Sequence, residues 1–315
     1  MWALYRKLQA VSGIMKLGRT ENTTHDPYYR ETAYNFSEMP ISDLQQKAAS
    51  GDPDAQTRLA LCYEIGEEIA QDFEEAARLY RLAADNGFAP AMSNLGYLFE
   101  HALGMEADID EAHSWYQKAA SKNYAGAQCS LGFLYEKGLG VQADIFKAVK
   151  FYYAAAQQDH PGAQVAPGIM HATGEGLPRD LGKAEKWYRK AAAHNYSKAE
   201  YNLGLMYATG AGMQKNPIEA AKWFGRAAEK GVALAQFQLG NLYVVGTGVP
   251  QDYVTAHMLF NLAGSRGLSE GIKNRESVAK LMNDAQIAEA QGLARNWRAK
   301  SKRGRNSSNT NVRVA

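Results

Sequence analysis

Seven histidines, two cysteines and 33 carboxylates are the side chains with which this chain could do chemistry, and their spacing assembles none of the familiar sites. Asp108 and Asp110 open like a calcium loop, in which alternate carboxylates wrap one cation. The central glycine and closing glutamate that complete such a loop are missing. No G-x-S-x-G nucleophile turn, Walker phosphate loop, H-E-x-x-H or C-x-x-C occurs. The histidines are scattered, with none at helical metal spacing from another ligand. Two cysteines, Cys62 and Cys129, fit a reducing compartment. No catalytic residue, cofactor-binding residue or metal ligand is therefore assigned, and no cofactor is expected.

The elements that would position any site repeat. Ala55, Ala91, Ala127, Ala163, Ala199 and Ala235 each open a copy of one pattern, 36 residues apart. That length holds two helices and two turns but no independent core, so copies must stack. Counted from the opening alanine, a leucine (Leu59, Leu95, Leu131, Leu203, Leu239) precedes a small residue (Ala60, Gly96, Gly132, Gly168, Gly204, Gly240). An aromatic follows three residues on (Tyr63, Phe99, Tyr135, Tyr207, Tyr243). At 100° per residue these share one helix face. A mid-helix glycine costs about 1 kcal/mol against alanine, so its repeated return predicts a contact too close for a methyl group.

Gly-x-Gly turns at 138/140, 174/176, 210/212 and 246/248 predict the end of each first helix. Asp72, Asp108, Asp144, Asp180, Asn216 and Asp252 predict the N-caps of the second. The second helices carry pairs such as Trp115-Tyr116 with Ala119-Ala120, and stop at Gly87, Asn123, Asp159, Asn195, Gly231 and Gly267, types that tolerate positive φ. The reading is an all-α fold, an elongated α-solenoid of six helix-turn-helix repeats.

A small residue after Leu, then Tyr, Gly-x-Gly, Asp and Ala-x-x-Trp-Tyr-x-x-Ala-Ala resembles the Sel1-like repeat, a relative of the tetratricopeptide repeat. The resemblance covers about residues 55–270. It implies a right-handed α/α superhelix with first helices lining the concave surface. It also implies an adaptor that binds protein or peptide, often in bacterial signalling, envelope biology or host contact. Gln286-Ile287-Ala288-Glu289-Ala290-Gln291 is similar to the closing helix of bacterial members. The disulfide within each repeat of cysteine-rich relatives is absent, and with it the enzymatic precedent they supply.

The expected organisation is a basic amphipathic segment (1–20), a linker (21–41), a half-repeat (42–54) and six repeats (55–90, 91–126, 127–162, 163–198, 199–234, 235–270). Capping helices (271–299) and a basic disordered tail (300–315) follow. Net charge is +2, with seven cations and no acid in 292–315 and four and none in 1–20, so 21–291 is −9. That body argues against nucleic acid as partner. Leu4, Leu8, Val11 and Met15 share a face opposite basic residues, as in a helix lying on an anionic membrane or capping the first repeat. No cleavage site follows, and no run reaches the roughly 20 apolar residues of a membrane span. The expectation is a cytoplasmic protein, with membrane association and export left open.

Candidate partner-binding residues come from phase. Positions three, six and ten after the opening alanine lie away from the core face. They include Arg58, Asn94, Tyr97, Ser130, Phe133, Asn202, Leu205 and Gln238, with Asn94, Asn202 and Gln238 expected to be the most exposed. Amides there would bond a peptide backbone and aromatics would pack its side chains; neighbouring first helices also touch, which would bury the middle position. One repeat is irregular, with Pro167 for the leucine and His171 for the aromatic. A proline inside a helix is expected to bend it or delay its start, and His171 would line a ligand site or sit hydrogen-bonded inside. The functional reading is a partner-binding scaffold. The alternatives are a membrane- or envelope-associated assembly factor or secreted host-interacting protein, and third an enzyme whose groups converge from several repeats.

Overall fold

The computed structural model describes residues 39–66 and 68–308, with side chains through 297. The amphipathic segment, almost all of the linker and residues beyond 308 lie outside the described residues. Among the described residues there are α-helices and no strand. After α1 (Ile41–Ala49) the chain alternates first and second helices: α2 (Pro53–Ile65) and α3 (Phe73–Asp85), α4 (Ala89–His101) and α5 (Ile109–Ser121), α6 (Ala125–Lys137) and α7 (Ile145–Ala156). The series continues with α8 (Pro161–Thr173) and α9 (Leu181–Ala193), α10 (Ser197–Thr209) and α11 (Pro217–Glu229), α12 (Ala233–Val245) and α13 (Tyr253–Gly264). Two closing helices follow, α14 (Ser269–Ala279) and α15 (Asp284–Ser308). The chain forms two compact units: one reaches Met170 and includes Gly174–Pro178, and the other holds His171–Thr173 and everything from Arg179. Within the N-terminal unit each helix from α1 to α7 packs on the next, and within the C-terminal unit each from α9 to α14 does so. That arrangement is an α-solenoid.

Backbone chemistry sets the period. Every second helix starts at the expected cap, whose side-chain oxygen accepts from backbone N–H groups of the first turn at 2.9–3.2 Å. Asn216 does this as well as the aspartates, because the acceptor is one Oδ1. The same residues donate their own N–H to the carbonyls of Tyr63, Phe99, Tyr135, His171, Tyr207 and Tyr243 at 2.9–3.0 Å, closing each loop. The residues expected to end the second helices all have positive φ, including Asn123 (61°), Asp159 (57°) and Asn195 (60°).

First helices end on a left-handed residue, glycine in five copies and Ala102 (φ 54°) in the second. A left-handed non-glycine costs about 1–2 kcal/mol. Ala102→Gly is therefore expected to stabilise the protein by about 1 kcal/mol, read as a higher urea midpoint with unchanged slope.

The glycines at this position of the first helices meet chiefly a side-chain ring, and at Gly96 also the Ala112 carbonyl at 3.1 Å. A Cβ at Gly96 would stand 2.9 Å from the ring of Tyr116, at Gly132 2.8 Å from Tyr152, at Gly204 2.5 Å from Phe224 and at Gly240 2.7 Å from Phe260. Each ring comes from the second helix of the same repeat and is buried to within a few per cent. In the first three copies this ring is a tyrosine whose hydroxyl donates to a glutamate 16 residues earlier. Tyr80 reaches Glu64 at 3.0 Å, Tyr116 reaches Glu100 at 2.7 Å and Tyr152 reaches Glu136 at 3.0 Å. Where the ring is phenylalanine, the facing position is apolar: Ala208 for Phe224 and Val244 for Phe260. In these five copies the hydroxyl and its glutamate acceptor go together, as expected where an unpaired buried polar group is costly; the irregular fourth repeat departs from the pattern, with Tyr188 opposite Ala172.

Proline does not shorten α8. Its 13 residues match the other first helices, so Pro167 delays nothing. The Nδ1 of His160 accepts the Ala163 amide at 3.1 Å at its start. Pro167 and His171 are both buried.

At the far end Asn283 and Gln286 exchange side chain-to-backbone bonds at 2.9 and 3.0 Å, a reciprocal cap that opens α15. Positions 258 and 262, exposed cations in most other second helices, are Met258 and Leu262 here and are buried. α15 packs on α13 and brings Ala294 into the same apolar cluster, with Trp297 against it. The helix continues to Ser308, so residues 300–308, expected to be disordered, are helical. The two lysines and two arginines of that stretch are good helix formers.

Candidate partner-binding surface

In the N-terminal unit the stripe of first-helix positions comes from α2, α4 and α6. Arg58 is half-buried, with Asp54 4.0 Å away one turn earlier. Ile65, one repeat before His101, is 48% exposed. Tyr97 is half-exposed, and the ring of His101 stacks on it with centroids 3.9 Å apart. The Nδ1 of His101 lies 3.0 Å from the Tyr97 carbonyl, which makes it the protonated nitrogen, and its Nε2 has no hydrogen-bond partner. Ser130 and Phe133 are half-buried in the next repeat, and the Lys137 ammonium lies 5.9 Å from the Phe133 ring. This stripe combines an aliphatic group, two aromatics and cations in reach of solvent.

Asn94 is the correction here. It was expected to be exposed and is 6% exposed. The same holds for Gln238 (7%) in the C-terminal unit, whereas Asn202 keeps partial exposure. Leu205 is 3% exposed in the core with Tyr201 and Phe224. Asn241, one step along from Gln238, accepts from Asn274 of α14 at 3.0 Å. α14 occupies the place of a further first helix, so the last stripe is closed by packing. Position within the helix gave the phase of these residues, but neighbouring first helices decide how much of each remains open.

His113 packs edge-on against Tyr135 at 5.8 Å, and burial pushes its imidazole below the ordinary value. Cys62 and Cys129 are buried thiols. No group of three or more His, Cys, Asp or Glu is placed to hold a metal among the described residues. No described helix is long and apolar enough to cross a membrane.

Glu200 lies outside the candidate stripe. It stands one residue after the opening Ala199, where other copies have Gln56, Gln128, Gln164 and Gln236, and it is fully buried. The Lys230 ammonium donates to both of its carboxylate oxygens at 2.7 Å, and Arg226 pairs with it at 2.8 Å. Lys230 also donates to the Asn195 carbonyl at 2.7 Å. A glutamate in a column of glutamines was the available signal. The triad joins the two helices of one repeat to the loop before it, and its work is structural.

The Sel1 repeat model matches residues 53–88, 89–124, 125–160, 162–196, 197–232 and 233–268. A protective antigen of uropathogenic Escherichia coli with an SLR fold is 33% identical, with a TM-score of 0.66. That match covers 86% of this chain, which spans only 58% of the antigen's length. A Sel1 repeat protein of Oxalobacter formigenes is 28% identical over 78% of this chain and 96% of its own, with a TM-score of 0.64. An immunity protein of Pseudomonas aeruginosa, PA5088, shares the fold at 21% identity and a TM-score of 0.51, over 69% of this chain and 82% of its own. No curated protein matches the chain. Six family matches in register with six structural helix pairs leave one assignment: the chain belongs to the Sel1 repeat family.

Proposed function

We propose that this protein is a non-enzymatic scaffold whose N-terminal unit takes an extended segment of a partner protein along the α2, α4 and α6 stripe. One observation carries the reading: Tyr97 and Phe133 are large aromatics left half-open, with His101 stacked on the first and Lys137 near the second. Aromatic and arginine side chains in partly desolvated settings dominate binding energies at interfaces. The corresponding positions of the C-terminal unit favour it less, because Leu205, Gln238 and Asn241 are buried. Sel1 repeat solenoids are in general protein-interaction scaffolds, which agrees with this reading.

The test pairs Tyr97→Ala/Phe133→Ala with a control at Asn202→Ala. A partner is identified by cross-linking through a photoreactive residue at position 137, then titrated against each variant. The double variant is expected to bind at least about tenfold more weakly, a loss of about 1.4 kcal/mol or more, with unchanged helicity. Equal affinity in all three proteins would place the binding surface elsewhere.

A further inference from the structure

The near-neutral total charge of the chain conceals a division. Residues 39–178 hold 19 acidic and nine basic side chains, whereas residues 179–297 hold 10 acidic and 15 basic. In the C-terminal unit part of this excess is gathered on second helices. Lys183, Lys186, Trp187 and Lys190 stand at i, i+3, i+4 and i+7 of α9, a single face. Lys222, Trp223 and Arg226 repeat that register one helix pair later on α11. All five cations are exposed; Lys183 lies 3.7 Å from Asp180, Lys222 pairs with Glu219 at 2.7 Å and Arg226 with the buried Glu200 at 2.8 Å. Lys190 sits 4.8 Å from the Trp187 ring and Arg226 4.8 Å from the Trp223 ring, so cation–π contacts hold two of the charges in place. Lys186 has no ion-pair partner among the described residues.

In the N-terminal unit the matching loops and first turns of α3 and α5 carry the opposite sign. Glu68, Glu74, Glu106, Asp108, Asp110 and Glu111 are all exposed. The indole faces on α9 and α11 are already covered by their own cations, which leaves no platform for stacked bases and points to a partner that offers only negative charge. The chain supplies such a partner itself.

We propose that the basic α9–α11 face of one copy docks on the acidic α3–α5 edge of a second copy. The two patches differ, so the contact is head-to-tail, and each copy added leaves one patch of each sign for the next. Charges of this kind are screened over a Debye length of about 10 Å at 0.1 M salt, so association belongs to low ionic strength.

The experiment is sedimentation velocity on the full chain from about 1 to about 100 µM, at about 50 mM and about 500 mM NaCl. The expected result is a mass that climbs with concentration at low salt and stays monomeric at high salt. Lys186→Glu/Lys190→Glu/Lys222→Glu and Glu74→Lys/Asp110→Lys/Glu111→Lys should each remain monomeric, with helicity intact by circular dichroism. Mixed in equal amounts they should form a one-to-one complex, because the untouched acidic edge of the first meets the untouched basic face of the second. A wild-type chain monomeric throughout, or a mixture that fails to pair, overturns the proposal. So does a monomeric wild type that binds a single-stranded RNA or phosphatidylserine vesicles through the same lysines, an outcome that would assign the face to a polyanion instead.

Discussion

Glu200→Ala should lower the unfolding free energy by about 3 kcal/mol, the low end of what removing one member of a buried ion pair costs. The carboxylate is wholly inaccessible, while the Arg226 and Lys230 side chains are 45% and 34% exposed at the lip of the site. Those cations can turn back to water when their partner is gone, which keeps the loss from being larger. Two donor groups make three contacts of 2.7–2.8 Å with one carboxylate, because the Lys230 ammonium reaches both of its oxygens. Hydrogen bonds to charged groups contribute about 1.5–3 kcal/mol each way. Glu200→Gln separates charge from shape. Glutamine occupies this position in four other copies, where Gln128 accepts from Gln158 at 2.7 Å and Gln236 donates to the Ala228 carbonyl at 3.1 Å. Glutamine at 200 should therefore fit, with a loss of about 1–2 kcal/mol from weakened bonds to the cations. Urea unfolding of the three proteins decides the matter. A Gln variant as unstable as the Ala variant would mean that the negative charge, not the hydrogen-bonded shape, sets the stability.

Gly204→Ala is expected to destabilise by about 1–3 kcal/mol although it replaces a poor helix former with the best one. Propensity alone gives a gain of about 1 kcal/mol. Against it, the new methyl would lie 2.5 Å from Cδ1 and 2.6 Å from Cε1 of Phe224, a ring 1% exposed with no room to retreat. The clash wins, because close-packed interiors respond to a single added methyl group. Phe224→Leu in the same chain should recover part of the loss by vacating the contact, and a double-mutant cycle reads that coupling directly. Ala60 shows that alanine is tolerated at this phase in the first repeat, where it is fully buried beside Tyr80. A Gly204→Ala protein more stable than the parent would mean that the ring gives way to the methyl group.

These two expectations mark where the sequence could be read and where it could not. The recurrence of alanine, glycine, aspartate and aromatic at one period specified the helix boundaries. Each of those residues acts within a few positions of itself, and local geometry follows from residue type. Asp108 caps α5 through amides two and three residues ahead, and Asn123 accepts the left-handed backbone its turn needs. The glycine–aromatic contact was half legible: a methyl group is excluded, but by a ring of the same repeat, because the approach depends on how the two helices lean together.

Exposure was decided by tertiary structure alone. Asn94, Asn202 and Gln238 share one helical phase, yet two are buried and one is partly open. A neighbouring helix adds or removes cover at identical angles, and no residue's own periodicity encodes its neighbour's distance. Glu200 makes the same point from the other side. A lone carboxylate in a column of glutamines was visible in the chain, but its two cations lie 26 and 30 residues away. Only the folded repeat brings them within 3 Å, because the stacking of α10 on α11 and the loop at Asn195 fixes where their side chains end. The repeat, its length and the local signals that start and stop each helix follow from residue type and spacing; packing between helices sets which of the repeated positions stay open to a partner.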